Sequence, residues 1–289
     1  MRGDRKRDLS LLAGRSWDAV IDPSGYLPRL VHASAELLRG RVSHYVFVSS
    51  ISVYEAPFPA WIDESAPLLP VIDDAETVTG EVYGGLKVGC ENVVRDLFPD
   101  AFTNVRAGLI VGPHDPTGRF TYWPVRIARG GEVLAPGDAA RVVQVVDYRD
   151  LGAWLVHAAE ERLAGDFNAT GPEPRITFGE LLETCRAVSG ADAELLWIPD
   201  SFLLERGVGT WMELPLWLDA EEASFLQVDV SRAVAAGLSF RPLGETAAAT
   251  LAWAREHPTS AELASGMAIG EAGMRREREA DLIAAWRGR

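Results

Sequence analysis

The run His44-Tyr45-Val46-Phe47-Val48-Ser49-Ser50-Ile51-Ser52-Val53-Tyr54 decides the fold of this chain. Its β-branched and aromatic residues are continuous rather than alternating, which is typical of a parallel strand buried on both faces. The run ends in hydroxyl side chains. Because reactive groups in open α/β sheets gather beyond the carboxyl ends of the strands, Ser50 is a candidate to hold a substrate oxygen. A strand-end hydroxyl that bonds only to the backbone is the alternative.

A second motif, Tyr83-Gly84-Gly85-Leu86-Lys87, places a phenol and an amine four residues apart. On a helix this spacing turns the chain by roughly 400° and advances it by about 6 Å, so both side chains leave the same face. An ammonium group there favours the phenolate and lowers the pKa of Tyr83 below its ordinary value of about 10. Tyr83 is therefore a candidate general acid/base. A helical Tyr–Lys pair without chemistry is the alternative.

Together, Ser50-Ile51-Ser52-Val53-Tyr54 and the Tyr83/Lys87 pair resemble the paired motifs of the extended short-chain dehydrogenase/reductases, also called the NAD-dependent epimerase/dehydratase family. The resemblance implies an α/β fold, a Rossmann-like parallel sheet with a smaller, mainly helical substrate lobe. It also implies that Ser50, Tyr83 and Lys87 are catalytic, with NAD or NADP as the hydride carrier. Later segments that resemble the same family are residues 104–106, 111–113, 118–119, 143–151 and 167–171.

One element of the family pattern is not found in the sequence. The family opens with a strand, a Gly-x-x-Gly-x-x-Gly turn and a helix, which approach the cofactor pyrophosphate. This sequence opens Met1-Arg2-Gly3-Asp4-Arg5, which resembles the end of the family's third strand. In the sheet order 3-2-1-4-5-6, the predicted strand at residues 19–22 then lies at an edge, which invites pairing. The glycine-rich stretch at residues 266–273 follows no predicted strand, so we reject it as a phosphate loop.

Three explanations for this opening stay open. The true start of the protein lies upstream, a partner or second copy covers the edge, or the protein is a cofactor-less remnant. An in-frame upstream stretch that encodes a strand and the glycine turn would support the first explanation. The choice between NAD and NADP is not predicted. By the resemblance, the residues expected to contact the cofactor are Asp4, Arg5, Ser24, Gly25, Tyr83 and Lys87.

Composition limits the classes of function. The 289 residues are 47% apolar and 24% charged, which is typical of a soluble globular protein. A net charge of −14 repels phosphate backbones, so no nucleic-acid partner is expected. Two cysteines and five scattered histidines predict neither a disulfide framework nor a metal site. No apolar run near 18 residues and no signal peptide are found, so we expect no membrane span and a cytoplasmic location.

Alternating strand and helix signals predict a parallel sheet with right-handed crossovers. Strands are predicted at residues 17–22, 45–49 and 104–111, and a helix with a Thr177/Glu180 capping box at residues 178–188. The family resemblance implies a further strand at residues 167–171. Further helices are predicted at residues 33–38, 82–98, 247–256 and 275–286. We expect a partial Rossmann-like domain at residues 1–172, with an active-face excursion at 113–135, and a substrate-binding lobe with C-terminal helices at 173–289. The tryptophan-rich residues 197–217 either line a substrate pocket or form core.

These observations predict an NAD(P)-dependent epimerase, dehydratase or reductase that acts on a small hydroxyl or carbonyl compound such as a nucleotide sugar, with a homodimer as a plausible assembly. A cofactor-less, non-catalytic binding or regulatory protein of the same fold is the alternative. Ser52, His114 and Arg119 are candidate substrate contacts. Arg106 and Arg141, like Arg119, are candidates to bind a phosphate, with solvation or ion pairing as the alternative for each.

Overall fold

A computed structural model describes residues 4–57, 59–220, 222–257 and 272–289. The chain divides into two compact units. Unit 1 consists of Met1–Leu109, Arg149–Gly171 and Val228–Ser239, and unit 2 of Ile110–Tyr148, Pro172–Gln227 and Phe240–Arg289. Residues 266–271 of the glycine-rich stretch lie outside the described residues. The division into a cofactor domain and a substrate lobe stays a prediction.

Short strands are interspersed with helices along the described residues. No helix among them is both long and apolar enough to span a membrane. The strands are β1 (Val20–Asp22), β2 (Tyr45–Ser50), β3 (Phe102–Ala107), β4 (Ile110–Val111), β5 (Gly131–Pro136), β6 (Val142–Val143), β7 (Val146–Asp147), β8 (Gly165–Ala169), β9 (Ile176–Thr177), β10 (Ala193–Ile198), β11 (Thr210–Trp211) and β12 (Leu214–Pro215). The helices are α1 (Pro28–Leu38), α2 (Gly80–Leu97), α3 (Tyr122–Ile127), α4 (Tyr148–Glu160), α5 (Phe178–Ser189), α6 (Asp200–Glu205), α7 (Ser231–Ala235), α8 (Leu243–Glu256) and α9 (Arg276–Arg287).

A four-stranded sheet in the order β1-β2-β3-β8 forms the centre of unit 1. All three strand pairs are parallel, and Ser50 at the end of β2 lies opposite Ala107 at the end of β3. Because the strands are parallel, their carboxyl ends share one edge. All six residues of β2 are buried, as its continuous apolar run predicts. The Rossmann-like parallel sheet is thus confirmed, and β1 has a neighbouring strand on only one side among the described residues.

Helices α1 and α2 pack together against β2. The alternation of a strand puts Tyr45 and Phe47 on the same face, where they join Val31, Leu38 and Val94 in a buried cluster. Burying an aliphatic or aromatic side chain of this size contributes about 1.5–3 kcal/mol. This cluster therefore fixes the position of α2, which carries the Tyr–Lys motif, relative to β2, which carries the serines.

Two strands are shorter than the sequence predicts. The strand predicted at residues 104–111 is divided at Gly108, where a Cβ would lie 2.2 Å from Thr170 Oγ1. Gly108 N still donates to the Ala169 carbonyl at 3.2 Å, and β3 ends at Ala107, opposite the last residues of β2 and β8. The strand predicted from Trp17 is regular only over Val20–Asp22, although Trp17 still forms an isolated parallel bridge with Val42.

Helices predominate in unit 2, which also contains short two-stranded sheets such as β5–β10. Helix α5 begins with the predicted capping box, because Thr177 Oγ1 accepts from the Glu180 backbone N at 3.1 Å while the Glu180 carboxylate accepts from the Thr177 N at 2.7 Å. In the tryptophan-rich region, Trp217 is fully buried and donates to Asp200 Oδ1 at 2.8 Å. Trp217 is therefore a core residue of this unit.

Candidate active site

The hydroxyl group that ends β2 is held by the turn that follows it. Ser50 caps the short 3-10 turn Ile51–Val53, and its Oγ accepts a hydrogen bond from the Ser52 backbone N at 3.1 Å. The same hydroxyl donates to Ser52 Oγ, also at 3.1 Å. The hydrogen bond to the backbone, which was the alternative role for the Ser50 hydroxyl, is therefore present. The cap also holds both hydroxyl groups together at the carboxyl edge of the sheet.

Helix α2 approaches this capped turn closely because the residue after Tyr83 is glycine. A Cβ on Gly84 would lie 2.2 Å from the carbonyl oxygen of Ser52. A Cβ on Gly85 would lie 2.7 Å from the carbonyl oxygen of Pro70. The glycine pair thus lets the first half of α2 pack directly on backbone. The helical turn that carries Tyr83 is brought against the turn that carries the two serines.

Backbone carbonyls and aromatic rings enclose the Lys87 ammonium group. Its Nζ donates to the carbonyl oxygens of Gly25 at 2.8 Å and Val48 at 2.7 Å. It also lies 4.5 Å from the centroid of the Phe47 ring and 5.2 Å from that of Tyr26. Lys87 is only 2% exposed, and this burial lowers its pKa to about 8. The ammonium therefore connects β2 to the β1–α1 connection inside unit 1.

Tyr26, which the motifs do not predict, lies beside both members of the Tyr–Lys pair. Its ring centroid is 6.4 Å from that of Tyr83, with a tilt of 41° between the ring planes. It is also the ring that covers Lys87 from the side of the β1–α1 connection. The sequence feature that points to Tyr26 as a site residue is its position directly after Gly25. This position lies just beyond the carboxyl end of β1, where functional groups of parallel sheets gather.

The other residues expected at the cofactor surround Asp22 or lie at the surface. Arg5 Nη2 donates to Asp22 Oδ2 at 2.5 Å, and the Ser24 backbone N donates to Asp22 Oδ1 at 3.2 Å. The Asp22 side chain is buried, so these bonds satisfy a carboxylate that is removed from water. Asp4 is exposed and forms an ion pair with Arg7 at 3.6 Å.

Two of the arginines considered for phosphate binding are ion-paired. Arg106 is 1% exposed and donates to the two carboxylate oxygens of Glu91 at 3.1 and 2.9 Å. It also donates to the hydroxyl of Tyr54, the last residue of the serine motif, at 3.1 Å. Arg141 Nη2 donates to Asp200 Oδ2 at 2.6 Å. The ion-pairing alternative holds for both, and a buried, paired guanidinium such as that of Arg106 is not available to a phosphate.

The remaining candidate substrate contacts, His114 and Arg119, belong to unit 2. His114 is exposed, has a left-handed backbone with φ +64°, and its ring lies 5.1 Å from that of Trp253. The Arg119 guanidinium lies 4.7 Å from the centroid of the Trp211 ring, and its Nε donates to Thr117 Oγ1 at 3.1 Å. Their contact with a substrate stays a prediction.

The strand, glycine turn and helix that bind the pyrophosphate in the family are not found in this sequence, and the β1–α1 connection does not supply these contacts in their place. A Cβ on Gly25 would lie 2.5 Å from the Phe47 ring and 2.7 Å from Val31. This glycine therefore makes room for the protein core and not for a pyrophosphate. The ammonium of Lys87, expected at the nicotinamide ribose, donates to two carbonyls, which use two of its three N–H donors. The β1–α1 connection therefore does not fit the pyrophosphate half of NAD(P).

Neither a protein-family model nor a curated protein sequence matches the chain. Solved structures do resemble it. UDP-glucuronic acid 4-epimerase from Bacillus cereus, in complex with NAD, aligns over 90% of this chain and 81% of its own with 16% identity and a TM-score of 0.61. UDP-glucose 4-epimerase from Thermotoga maritima aligns over 80% and 68% with 19% identity and a TM-score of 0.54. dTDP-4-dehydrorhamnose reductase from Bacillus anthracis, in complex with NADP, aligns over 76% and 68% with 15% identity and a TM-score of 0.52. At these identities the likeness concerns the fold, and the chain has the fold of the NAD(P)-binding nucleotide-sugar epimerases and reductases, as the resemblance of its motifs implies.

Proposed function

We propose that the chain is an epimerase, dehydratase or reductase that acts on a hydroxyl or carbonyl group of a small compound, with a nucleotide sugar as the favoured class. One observation carries the proposal. Gly84 sits directly against the Ser52 carbonyl, so the turn of α2 that bears Tyr83 packs on the capped turn that bears Ser50. This packing supports a role for a phenol and a hydroxyl, from segments far apart in the sequence, at one edge of the sheet.

In this proposal each side chain has one task. The Ser50 hydroxyl turns its hydrogen bond from Ser52 Oγ to the substrate oxygen and so orients it. Tyr83 takes a proton from that oxygen or returns one to it. Lys87, whose pKa of about 8 keeps it charged at neutral pH, favours the Tyr83 phenolate through its positive charge. Its bonds to two carbonyls fix the position of that charge.

Hydride transfer would require a nicotinamide cofactor, because no side chain supplies a hydride. The dinucleotide contacts that the β1–α1 connection does not provide would have to come from outside the described residues. The UDP-sugar and dTDP-sugar enzymes of the same fold support the choice of a nucleotide sugar as substrate class.

A cofactor-less binding or regulatory protein is the second candidate. Two observations favour it. Core side chains occupy the space beside Gly25, and backbone carbonyls and aromatic rings enclose the Lys87 ammonium group. Such a protein would hold a nucleotide sugar or a similar ligand without turning it over.

Titration calorimetry with NAD(H), NADP(H), UDP-glucose and UDP-glucuronic acid tests the two candidates. The enzyme proposal expects binding of a nicotinamide dinucleotide, and turnover that falls by at least ~100-fold in Tyr83→Phe. Tyr148→Phe, which removes a phenol hydroxyl from an exposed tyrosine of unit 2, serves as the matched control. Binding of a UDP-sugar without any nicotinamide dinucleotide would support the binding protein and exclude the enzyme for this chain. Turnover retained in Tyr83→Phe would exclude Tyr83 as the acid/base.

A further inference from the structure

Among the groups that touch the buried Lys87 ammonium, the Tyr26 ring also meets solvent. Two carbonyls and two rings surround Lys87 Nζ, those of Gly25, Val48, Phe47 and Tyr26. The first three of these residues are buried, as Lys87 itself is. Tyr26 is only half-buried. Of these four contacts, the Tyr26 ring is therefore the one that stands between the ammonium and water.

The backbone on both sides of Tyr26 is held in the core. Gly25 lies so close to Phe47 that a Cβ on the glycine would be 2.5 Å from the ring. On the other side, Leu27 is 5% exposed, and Pro28, which is also buried, begins α1. Tyr26 is thus a half-buried residue between buried neighbours. Its ring can turn about the side-chain bonds while the backbone stays in place.

A ligand can replace the contact between the Tyr26 ring and the ammonium. The ring centroid is 5.2 Å from Lys87 Nζ, and the attraction of a cation to a ring face is weaker than a hydrogen bond from a charged donor. An ammonium has three N–H donors, and the two carbonyls use two of them. A ligand oxygen that accepted from the third donor would therefore compensate for the loss of the ring contact.

The Tyr26 ring also lies beside the candidate acid/base. Its centroid is 6.4 Å from that of the Tyr83 ring, and the two ring planes are tilted by 41°. Tyr83 is half-buried, like Tyr26. A ligand that touched both Tyr83 and Lys87 would have to share space with the one ring that is close to both.

We propose that the Tyr26 ring is a movable cover of the Lys87 ammonium. In the closed position the ring shields the ammonium from water. When the ring turns aside, an acceptor oxygen of a ligand, such as a hydroxyl oxygen, takes its place at Nζ. Tyr26 is thus a positioning residue, because it acts through Lys87. The role of Lys87 rests on the proposed function, but the test needs neither cofactor nor substrate, so the two proposals can fail separately.

Reductive methylation of the full chain with formaldehyde and a borane tests the cover. The chain has two lysines, and the exposed Lys6 reports the activity of the reagent. Cys90, a buried thiol on the same helix as Lys87, reports opening of the core through its reaction with methyl methanethiosulfonate. Peptide mass spectrometry gives both rates, each divided by the rate in the urea-unfolded chain. We expect the unchanged protein to react at least tenfold faster at Lys87 than at Cys90 on this scale, because the turn of one ring exposes the amine.

Three variants distinguish a cover from a core residue. Tyr26→Ala removes the ring and should raise the Lys87 rate at least tenfold while the Cys90 rate stays within twofold. Tyr26→Phe keeps the ring and should change the Lys87 rate by less than twofold. Leu27→Ala removes a neighbouring core side chain and should raise the Lys87 and Cys90 rates together.

Three results would overturn the proposal. Equal protection of Lys87 and Cys90 in the unchanged protein would show that the amine is reached only when the core opens. A parallel rise of both rates in Tyr26→Ala, as expected for Leu27→Ala, would make the ring an ordinary part of the core. An unchanged Lys87 rate in Tyr26→Ala would show that the ring does not shield the ammonium.

Discussion

Replacing Gly84 by alanine tests the packing on which the candidate site depends. The new Cβ would lie 2.2 Å from the Ser52 carbonyl oxygen and 2.5 Å from Leu69 Cδ1. The leucine methyl can rotate away, but the backbone oxygen cannot. Because carbon–oxygen contacts normally begin near 3.3 Å, helix α2 and the capped turn must separate by about 1 Å.

Two opposing contributions decide whether Gly84→Ala raises or lowers the free energy of unfolding. Alanine in place of glycine favours a helix by about 0.5–1 kcal/mol. Overpacking a close contact costs about 1–3 kcal/mol, and a contact with backbone belongs at the upper end of that range. We therefore expect Gly84→Ala to lower the free energy of unfolding by about 1–2 kcal/mol. In the proposed function, a displacement of about 1 Å between Tyr83 and Ser50 would also lower turnover by up to about 100-fold.

Gly152→Ala is the matched control. Gly152 lies within α4, in unit 1, and a Cβ at this position meets nothing within 4 Å. The same substitution should therefore stabilise the protein by about 0.5–1 kcal/mol. Urea unfolding followed by circular dichroism compares the two variants, and hydrogen exchange in β2 and α2 localises the change to unit 1. If Gly84→Ala proved as stable as Gly152→Ala, the close contact between α2 and the serine turn would be refuted.

Two further predictions concern buried charges. Glu91→Gln should destabilise the protein by about 3 kcal/mol, because it leaves the buried Arg106 guanidinium with only the more distant Asp166 carboxylate, at 3.5 Å, as counter-charge. Glu183→Gln, in an exposed pair, should cost under about 1 kcal/mol, and similar unfolding midpoints for the two variants would contradict this prediction. The pKa of Lys87 is lowered from 10.5 to about 8, so between these pH values the unfolded state binds more protons and the free energy of unfolding should rise with pH, by on the order of 2–3 kcal/mol. Denaturant unfolding measured from pH 7 to 10.5 tests this. Lys87→Met should remove the rise in the free energy of unfolding, while Lys6→Met, at an exposed lysine, should keep it. If the rise persisted in Lys87→Met, it would come from another titratable group.

Local patterns in the sequence predicted several elements closely. The continuous apolar run before Ser50 predicted a buried parallel strand, and β2 is buried over Tyr45–Ser50. The helical spacing around the Tyr–Lys motif predicted α2, and the Thr177/Glu180 pair predicted the start of α5. These features depend on side-chain periodicity and on bonds between residues three or four apart, so neighbouring residues are enough to specify them.

The sequence alone determined the strand that ends in Ser50, the helix that bears Tyr83 and Lys87, and their order in the fold. Only the tertiary structure decided the partners of Lys87 and the division of a predicted strand at Gly108. Lys87 bonds to Gly25, 62 residues away, and Gly108 lies directly against Thr170 of a later segment. Such contacts join segments that are distant in sequence, and their geometry is set when the core packs and not by the local propensities that a sequence displays.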